Sequence, residues 1–301
     1  MQPFSVGDKM KSSIKAYANK LNIEYMGIVS AEPQRELQKW ISVRREKYGV
    51  TPFEEQDIRL RTDPGKTLPG AKSVIVCLFP YYHDGNGAEN ISMYARIPDY
   101  HRVVMAYLER ICEFIQGIKP NCTLIPYVDN GPLADKYLAY RAGLGFYGKN
   151  TLFINPKYGS YCFIGYIITD IALEPDKPME ETCRNCGACM KACPGNAIGE
   201  EHDFCAEKCV SYITQAKEIT DEQKRILSKQ TYVYGCDICQ NVCPFNQNIS
   251  KTPISEFMVP TLASFEEKEI AGMSNREFKH RFSTYPFSWR SKEAILKNFT
   301  K

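Results

Sequence analysis

The chain has 301 residues, 44% of them hydrophobic and 24% charged, with a formal net charge of +3. This is ordinary globular composition with room for one large or two modest domains, and no apolar run reaches the roughly 18 to 20 residues of a membrane span. The stretch from Met1 to Lys20 lacks the charged-then-apolar order of a secretory signal and holds no paired arginines, so a cytoplasmic protein with no membrane association is expected.

In chain order, Lys9 to Leu21 shows helical periodicity and Tyr25 to Ser30 reads as a first strand. Lys72 to Phe79 follows a Pro-Gly turn and reads as a buried central strand. Val103 to Ile118 places Val104, Tyr107, Leu108, Ile111 and Ile115 on one helical face. Cys122 to Val128 is strand-like, Gly131 to Gly143 reads as a helix with Pro132 in its first turn, and Tyr161 to Leu173 contains another strand. The alternation predicts an α/β domain over 1–176. Pro175 and Pro178 mark a boundary, a cysteine-rich module follows over 177–248, and 249–301 forms a short helical appendage with helices near Phe265 to Ile270 and Asn275 to Phe282.

Nine of the thirteen cysteines fall between Cys183 and Cys243. In a reducing compartment such clustering points to metal rather than disulfides. Cys77, Cys112, Cys122 and Cys162 lie singly in apolar surroundings and read as core residues. The first run, Cys183-Arg-Asn-Cys186-Gly-Ala-Cys189-Met-Lys-Ala-Cys193-Pro194, is C-x2-C-x2-C-x3-C-P, the bacterial ferredoxin pattern. Three cysteines wrap one 4Fe–4S cube, and the fourth, before the proline, ligates another. The second run, Cys236-Asp-Ile-Cys239-Gln-Asn-Val-Cys243-Pro244, is the same pattern short of one ligand, which must be Cys205 or Cys209. Crossed ligation gives Cys183, Cys186, Cys189 and Cys243 to one cluster. Cys193, Cys236, Cys239 and one of the intervening pair hold the other. Tetrahedral zinc has no use for the third cysteine and the Cys-Pro ending of both runs. The module moves single electrons, and the upstream domain must hold their acceptor.

In that domain Gly143-Leu-Gly145-Phe-Tyr-Gly148 follows a helix, not a strand, and reads as a packing turn rather than a dinucleotide site. Asp99-Tyr-His101 begins like a cobalamin Asp-x-His-x-x-Gly motif, but Val104 stands where glycine should be, so a histidine-ligated cobalamin is not supported. Val128-Asp129-Asn130-Gly131-Pro132 reads either as a capping turn or as a carboxyl at a strand end, where α/β sheets place ligands. From Met273 to Lys301 there are seven Lys/Arg against two Asp/Glu, a local +5 that leaves −2 for the rest. A basic, aromatic-bearing tail suits a polyanion, although most such runs are solvated faces. Arg276, Lys279, Arg281, Arg290 and Lys292 are its candidate phosphate contacts, and Trp289 is expected to pack against the core.

Together these segments resemble the cobalamin- and iron–sulfur-dependent epoxyqueuosine reductases. The resemblance runs through Leu68-Pro-Gly-Ala-Lys-Ser-Val-Ile75, Asp99-Tyr-His101, Val128-Asp-Asn-Gly131, Arg141-Ala-Gly-Leu-Gly-Phe146, Lys149-Asn150 and Tyr158-Gly-Ser160. It continues through the first cysteine run, Cys209-Val-Ser-Tyr-Ile-Thr214, Tyr234-Gly-Cys-Asp-Ile-Cys239, Ser274-Asn-Arg-Glu-Phe-Lys279 and Ser288-Trp-Arg290. It implies Cys209, not Cys205, as the fourth ligand, and cobalamin as the acceptor without a protein ligand to cobalt. It implicates Arg61, Ser92, Phe153, Ser211 and Asp237 in the cofactor pocket and Asp129 as proton donor there. The helical-repeat domain that family members usually carry next, and that helps hold tRNA, is not in this sequence. The implied reaction turns epoxyqueuosine in a tRNA anticodon stem-loop into queuosine, an epoxide becoming an alkene and water with two electrons and two protons. The electrons come from an external donor, and a monomer is expected. Asp129 serves as an acid only if its pKa is raised, which a flat apolar corrin above it is expected to do. The rivals are a reductive dehalogenase-like corrinoid enzyme, a flavin reductase, and an electron carrier serving a partner reductase.

Overall fold

The computed structural model describes residues 6–83, 90–200, 203–259 and 261–299. Its centre is β2 (Ser73–Pro80), every residue of which is buried. Alternate side chains serve two cores: Ile75, Cys77 and Phe79 face one, Val74, Val76 and Leu78 the other. A strand covered on both faces reads as one continuous apolar run, which is why its sequence shows no alternation. β2 lies between β1 (Met26–Ser30) and β6 (Cys162–Thr169), and β3 (Leu124–Val128) pairs with β6, giving the order β1-β2-β6-β3. All three pairings are antiparallel, with Val128 opposite Gly165 and Cys77 opposite Gly165 and Met26. The mixed helix-and-strand class expected from the sequence is present, with every neighbouring pair running in opposite directions.

Helix α1 (Val6–Lys20) covers the first face together with α5 (Tyr100–Ile118), while α2 (Arg35–Tyr48), α3 (Ile58–Thr62) and α4 (Pro64–Thr67) fill the link from β1 to β2. Helix α5 (Tyr100–Ile118) starts one turn before the predicted Val103, capped by Asp99, and buries Val104, Tyr107, Leu108, Ile111 and Ile115. It comes close to the sheet because Gly165 has no side chain: a Cβ there would stand 2.8 Å from Val104 Cγ1. Helix α6 (Asp135–Arg141) begins later than predicted, so Pro132 precedes it. The hairpin β4 (Phe146–Tyr147) and β5 (Phe153–Ile154) follows.

Asp176 ties down the domain's end, accepting hydrogen bonds from Lys11 Nζ at 2.8 Å and Ile28 N at 2.9 Å. The cysteine module then adds α7 (Ala188–Ala192), α8 (Val210–Gln215), α9 (Asp221–Leu227) and α10 (Ile238–Asn241). The remainder, expected as an appendage, is instead built into the body. Ile254 and Phe257 are fully buried in the first core, and Thr252 N donates to Tyr82 O at 2.7 Å. Beyond them, α11 (Glu267–Gly272), α12 (Asn275–Arg281) and α13 (Lys292–Leu296) wrap Phe265, Ile270, Phe278, Phe282, Phe287 and Ile295 around Ile91, Ala95, Val233 and Tyr234. That many buried aromatics cannot stay in water; each is worth roughly 1.5–3 kcal/mol on burial, which welds the segment to both preceding parts.

Candidate active site

A cavity of ≈ 1210 Å³ opens where β3, α6, the cysteine module and the last segment meet. It exceeds the roughly 300–1,000 Å³ of ordinary small-ligand pockets and suits a bulky cofactor with part of a second molecule. Arg61, Ser92, Asp129, Phe153 and Ser211 all line it. Asp237 lies behind the wall instead. Only 3% exposed, its carboxylate accepts from Ser92 Oγ at 2.5 Å, Met93 N at 2.6 Å and Gln240 Nε2 at 2.9 Å. Burial pushes its pKa above the usual carboxylate value against these hydrogen bonds. It therefore meets the cavity through Ser92 and Gln240, which line it and which it holds in place.

Asp129 follows the last residue of β3 in a left-handed conformation, φ 55°. The turn depends on Gly131, where a Cβ would stand 2.1 Å from Tyr166 Oη. The carboxylate faces the cavity. Oδ2 accepts from Tyr100 Oη at 2.7 Å and lies 3.1 Å from His101 Nε2, while His101 Nδ1 lies 2.7 Å from Asp99 Oδ1. Asp99 thus caps α5 and clamps the imidazole. Burial opposes charging the ring, but hydrogen bonds to Asp129 and Asp99, with their charges, win and raise the His101 pKa to about 9. For Asp129, burial pushes upward, but the hydrogen bonds from His101 and Tyr100 outweigh it and hold the carboxyl below its ordinary value. The direction is opposite to the raised pKa expected from sequence, because the histidine beside it was not placed there by any motif. At neutral pH the proton of this pair resides on His101.

The cysteines separate into two groups. Cys183, Cys186, Cys189 and Cys243 line a small second cavity, whereas Cys193, Cys209, Cys236 and Cys239 line the large one. Cys243 has Cys183 and Cys186 as electrostatic neighbours, and Cys239 has Cys209 and Cys193 ahead of Cys189 from the other group. Cys205 lines neither cavity. Two quartets of soft sulfur donors, crossed between the two Cys-Pro endings, fit two 4Fe–4S cubes. For a corrinoid, the fit rests on the cavity's size, the apolar wall of Phe153, Phe163 and Ile164, and the buried Arg61 Nε, which has no hydrogen-bond partner among the described residues. Cys77 and Cys112 are buried core residues as expected, but Cys162 lines the large cavity.

Lys136, Gln215 and the Thr51–Glu55 loop also line the cavity without any motif that marked them, and Asn150, from the matching Lys149-Asn150 segment, lines it with them. The tail also differs from expectation. Arg290 stacks on Trp289, 3.7 Å from the ring centre, and donates to Gln215 O. Lys292 Nζ donates to Ala271 O at 3.1 Å and to Met273 O, and Arg281 pairs with Glu269. These cations cap backbone carbonyls or pair internally, whereas Arg276 and Lys279 lie exposed on α12, and Lys301 lies outside the described residues. Trp289 is 56% exposed at the cavity wall rather than packed in the core.

Two family models match: the 4Fe-4S double cluster binding domain over 182–246, and epoxyqueuosine reductase QueG, DUF1730, over 61–130. An epoxyqueuosine reductase of Staphylococcus aureus is 33% identical over 299 residues, covering 96% of this chain and 78% of its own length. The crystal structure of an epoxyqueuosine reductase with an epoxyqueuosine-modified tRNA stem loop superposes with a TM-score of 0.88 at 30% identity, over 96% of this chain and 80% of that one. A Bacillus subtilis epoxyqueuosine reductase, solved with its catalytic aspartate loop swung out of the active site, gives 0.86 at 30% identity over the same shares. With relatives this similar along nearly the whole sequence, the chain belongs to the epoxyqueuosine reductase family.

Proposed function

We propose that this protein reduces epoxyqueuosine to queuosine in tRNA, in the cytoplasm, as a monomer fed by an external electron donor. One observation carries the reading: a single cavity is lined both by a cysteine quartet and by Asp129 with its charged histidine. The stem-loop bound by a relative of 30% identity supports the same substrate here. The reaction consumes two electrons and two protons, removes the epoxide oxygen as water and leaves an alkene. When bound, cobalamin supplies a cobalt centre that delivers reducing equivalents to the epoxide, and two 4Fe–4S clusters supply them one at a time.

The residues of this chain do the rest. Cys183, Cys186, Cys189 and Cys243 hold one cluster, and Cys193, Cys209, Cys236 and Cys239 hold the other beside the cavity. Arg61, Ser92, Phe153 and Ser211 hold the corrinoid, and Asp237 fixes Ser92. The oxygen leaving the epoxide needs a proton from a group within hydrogen-bond reach. Asp129, ionised at neutral pH, relays it: His101, charged and held by Asp99, gives up its proton along the Nε2–Oδ2 contact of 3.1 Å, and the carboxyl hands it on to the leaving oxygen. Tyr100 keeps Oδ2 oriented.

The test is an anaerobic optical titration of cluster-loaded protein with cobalamin. Saturable corrinoid bands that change on adding the modified stem-loop support the reading. Flavin bands in purified protein, or cluster absorbance that ignores cobalamin, replace it with a flavin reductase or an electron carrier.

A further inference from the structure

Each cysteine quartet has its own lysine, and the two lysines are treated differently. Lys149 is 8% exposed and lines the small cavity with Cys183, Cys186, Cys189 and Cys243. Its Nζ donates to Asn185 Oδ1 at 2.9 Å and forms an ion pair with Glu200, so its charge is offset where it stands. Lys136 lines the large cavity with Cys193, Cys209, Cys236 and Cys239. Its Nζ reaches the Thr151 carbonyl at 3.3 Å, and among the described residues no carboxylate lies within ion-pair distance of it. Cys209 and Cys239 lie within its electrostatic reach, as do Asp135 and Asp129 without bonding to it.

We propose that Lys136 raises the reduction potential of the cluster held by Cys193, Cys209, Cys236 and Cys239, biasing electrons toward the cavity. The inference rests on the cluster assignment proposed above. A four-thiolate 4Fe–4S cluster gains one negative charge on reduction, and its potential follows net charge and solvent exposure. An unpaired ammonium nearby stabilises the reduced form; one already bonded to a carboxylate does so far less. Burial lowers the Lys136 pKa from its ordinary value, and the negative charge of Asp135, Cys239, Cys209 and Asp129 opposes that loss. The step is a one-electron transfer: the cluster near exposed Cys186 is oxidised, the cavity-side cluster is reduced, and no proton moves. A low-potential external reductant supplies that electron. Lys136 acts here through the cluster, as a positioning charge.

The test is an EPR-monitored redox titration of the full reconstituted chain with dithionite, without cobalamin. Wild type should show two one-electron steps. Lys136→Gln should lower one step about tenfold in its equilibrium, about 59 mV for a one-electron couple, and leave the other in place. Lys136→Arg should restore it, and Lys149→Gln should leave that step unmoved. Both steps unmoved in a Lys136→Gln protein with full iron overturns the proposal, as does an equal displacement of both. If Lys136→Gln sheds iron, Lys136→Met is titrated instead, and iron loss in both overturns the proposal in favour of a purely structural tie to Thr151. A wild type that never shows two clusters defeats the cluster assignment itself, a different failure.

Discussion

Replacing His101 by Gln removes a charged ring from between two carboxylates while keeping a hydrogen-bonding side chain of similar reach. Raising a histidine from 6.5 to about 9 corresponds to about 3 kcal/mol in favour of the folded state, at 1.36 kcal/mol per tenfold. The ring is 29% exposed on its cavity side, so solvent trims this to roughly 2 kcal/mol. The sign follows from the raised value. Below pH 6.5 His101 is charged in both states and its contribution is complete. It declines as pH rises through about 9 and is gone above that. Asp99 and Asp129, both held below the ordinary carboxylate value, contribute above their unfolded pKa and lose that contribution as pH falls through the lower folded one. Anaerobic thermal melts of cluster-loaded wild type and His101→Gln should differ by a few degrees near about pH 6 and converge near about pH 9.5. A difference that stays constant over that window refutes the charged ring and, with it, the proton reservoir.

Cys209→Ser should lower iron below the eight atoms of a double 4Fe-4S cluster domain or perturb one cluster's spectrum, while Cys205→Ser should leave both intact; metal analysis giving the reverse contradicts the quartets. Gly131→Ala forces a Cβ to within 2.1 Å of Tyr166 Oη and 2.8 Å of Tyr127 Cβ, so urea denaturation should show a loss of about 1–3 kcal/mol; unchanged stability means the turn relaxes freely. Arg290 and Lys292 serve backbone carbonyls, so their joint replacement by Ala should lower the melting temperature without flattening the salt dependence of tRNA binding. Arg276→Ala with Lys279→Ala on the exposed α12 face should flatten it by about 0.9 in log–log slope per lost phosphate contact, and an unaltered slope makes that face merely solvated.

The two cysteine runs were legible because ligand geometry dictates spacing, whereas the choice of Cys209 over Cys205 came only from the family resemblance; β2, β6 and α5 were legible because long buried faces leave long apolar patterns. Strand direction was not legible: β2 is covered on both faces, so its run looks the same in a parallel or an antiparallel sheet. Helix α2 escaped notice because only Leu37 and Ile41 are buried over its length, with Trp40 on the outside. The start of α6 was set by tertiary contact, since Leu133 N is held by Tyr166 Oη and α6 begins only at Asp135. At the site, Asp129 stood out as a carboxyl at a strand end, but its protonation was decided by His101, 28 residues away in sequence. The basic tail read as a phosphate contact because charge is visible in sequence, whereas the carbonyls that absorb it are not.

Whether Asp129 passes a proton to the leaving oxygen as an epoxide in RNA is deoxygenated can be read from anaerobic single turnover of an epoxyqueuosine-bearing anticodon stem-loop with added cobalamin and reductant. Nucleoside mass spectrometry should show queuosine from wild type. From Asp129→Asn, with corrinoid and cluster spectra intact, the rate should fall by about 10²- to 10⁴-fold. An intact wild type that leaves the epoxide untouched rules out the reaction, and an Asp129→Asn variant that turns over at the wild-type rate rules out Asp129 as its proton path.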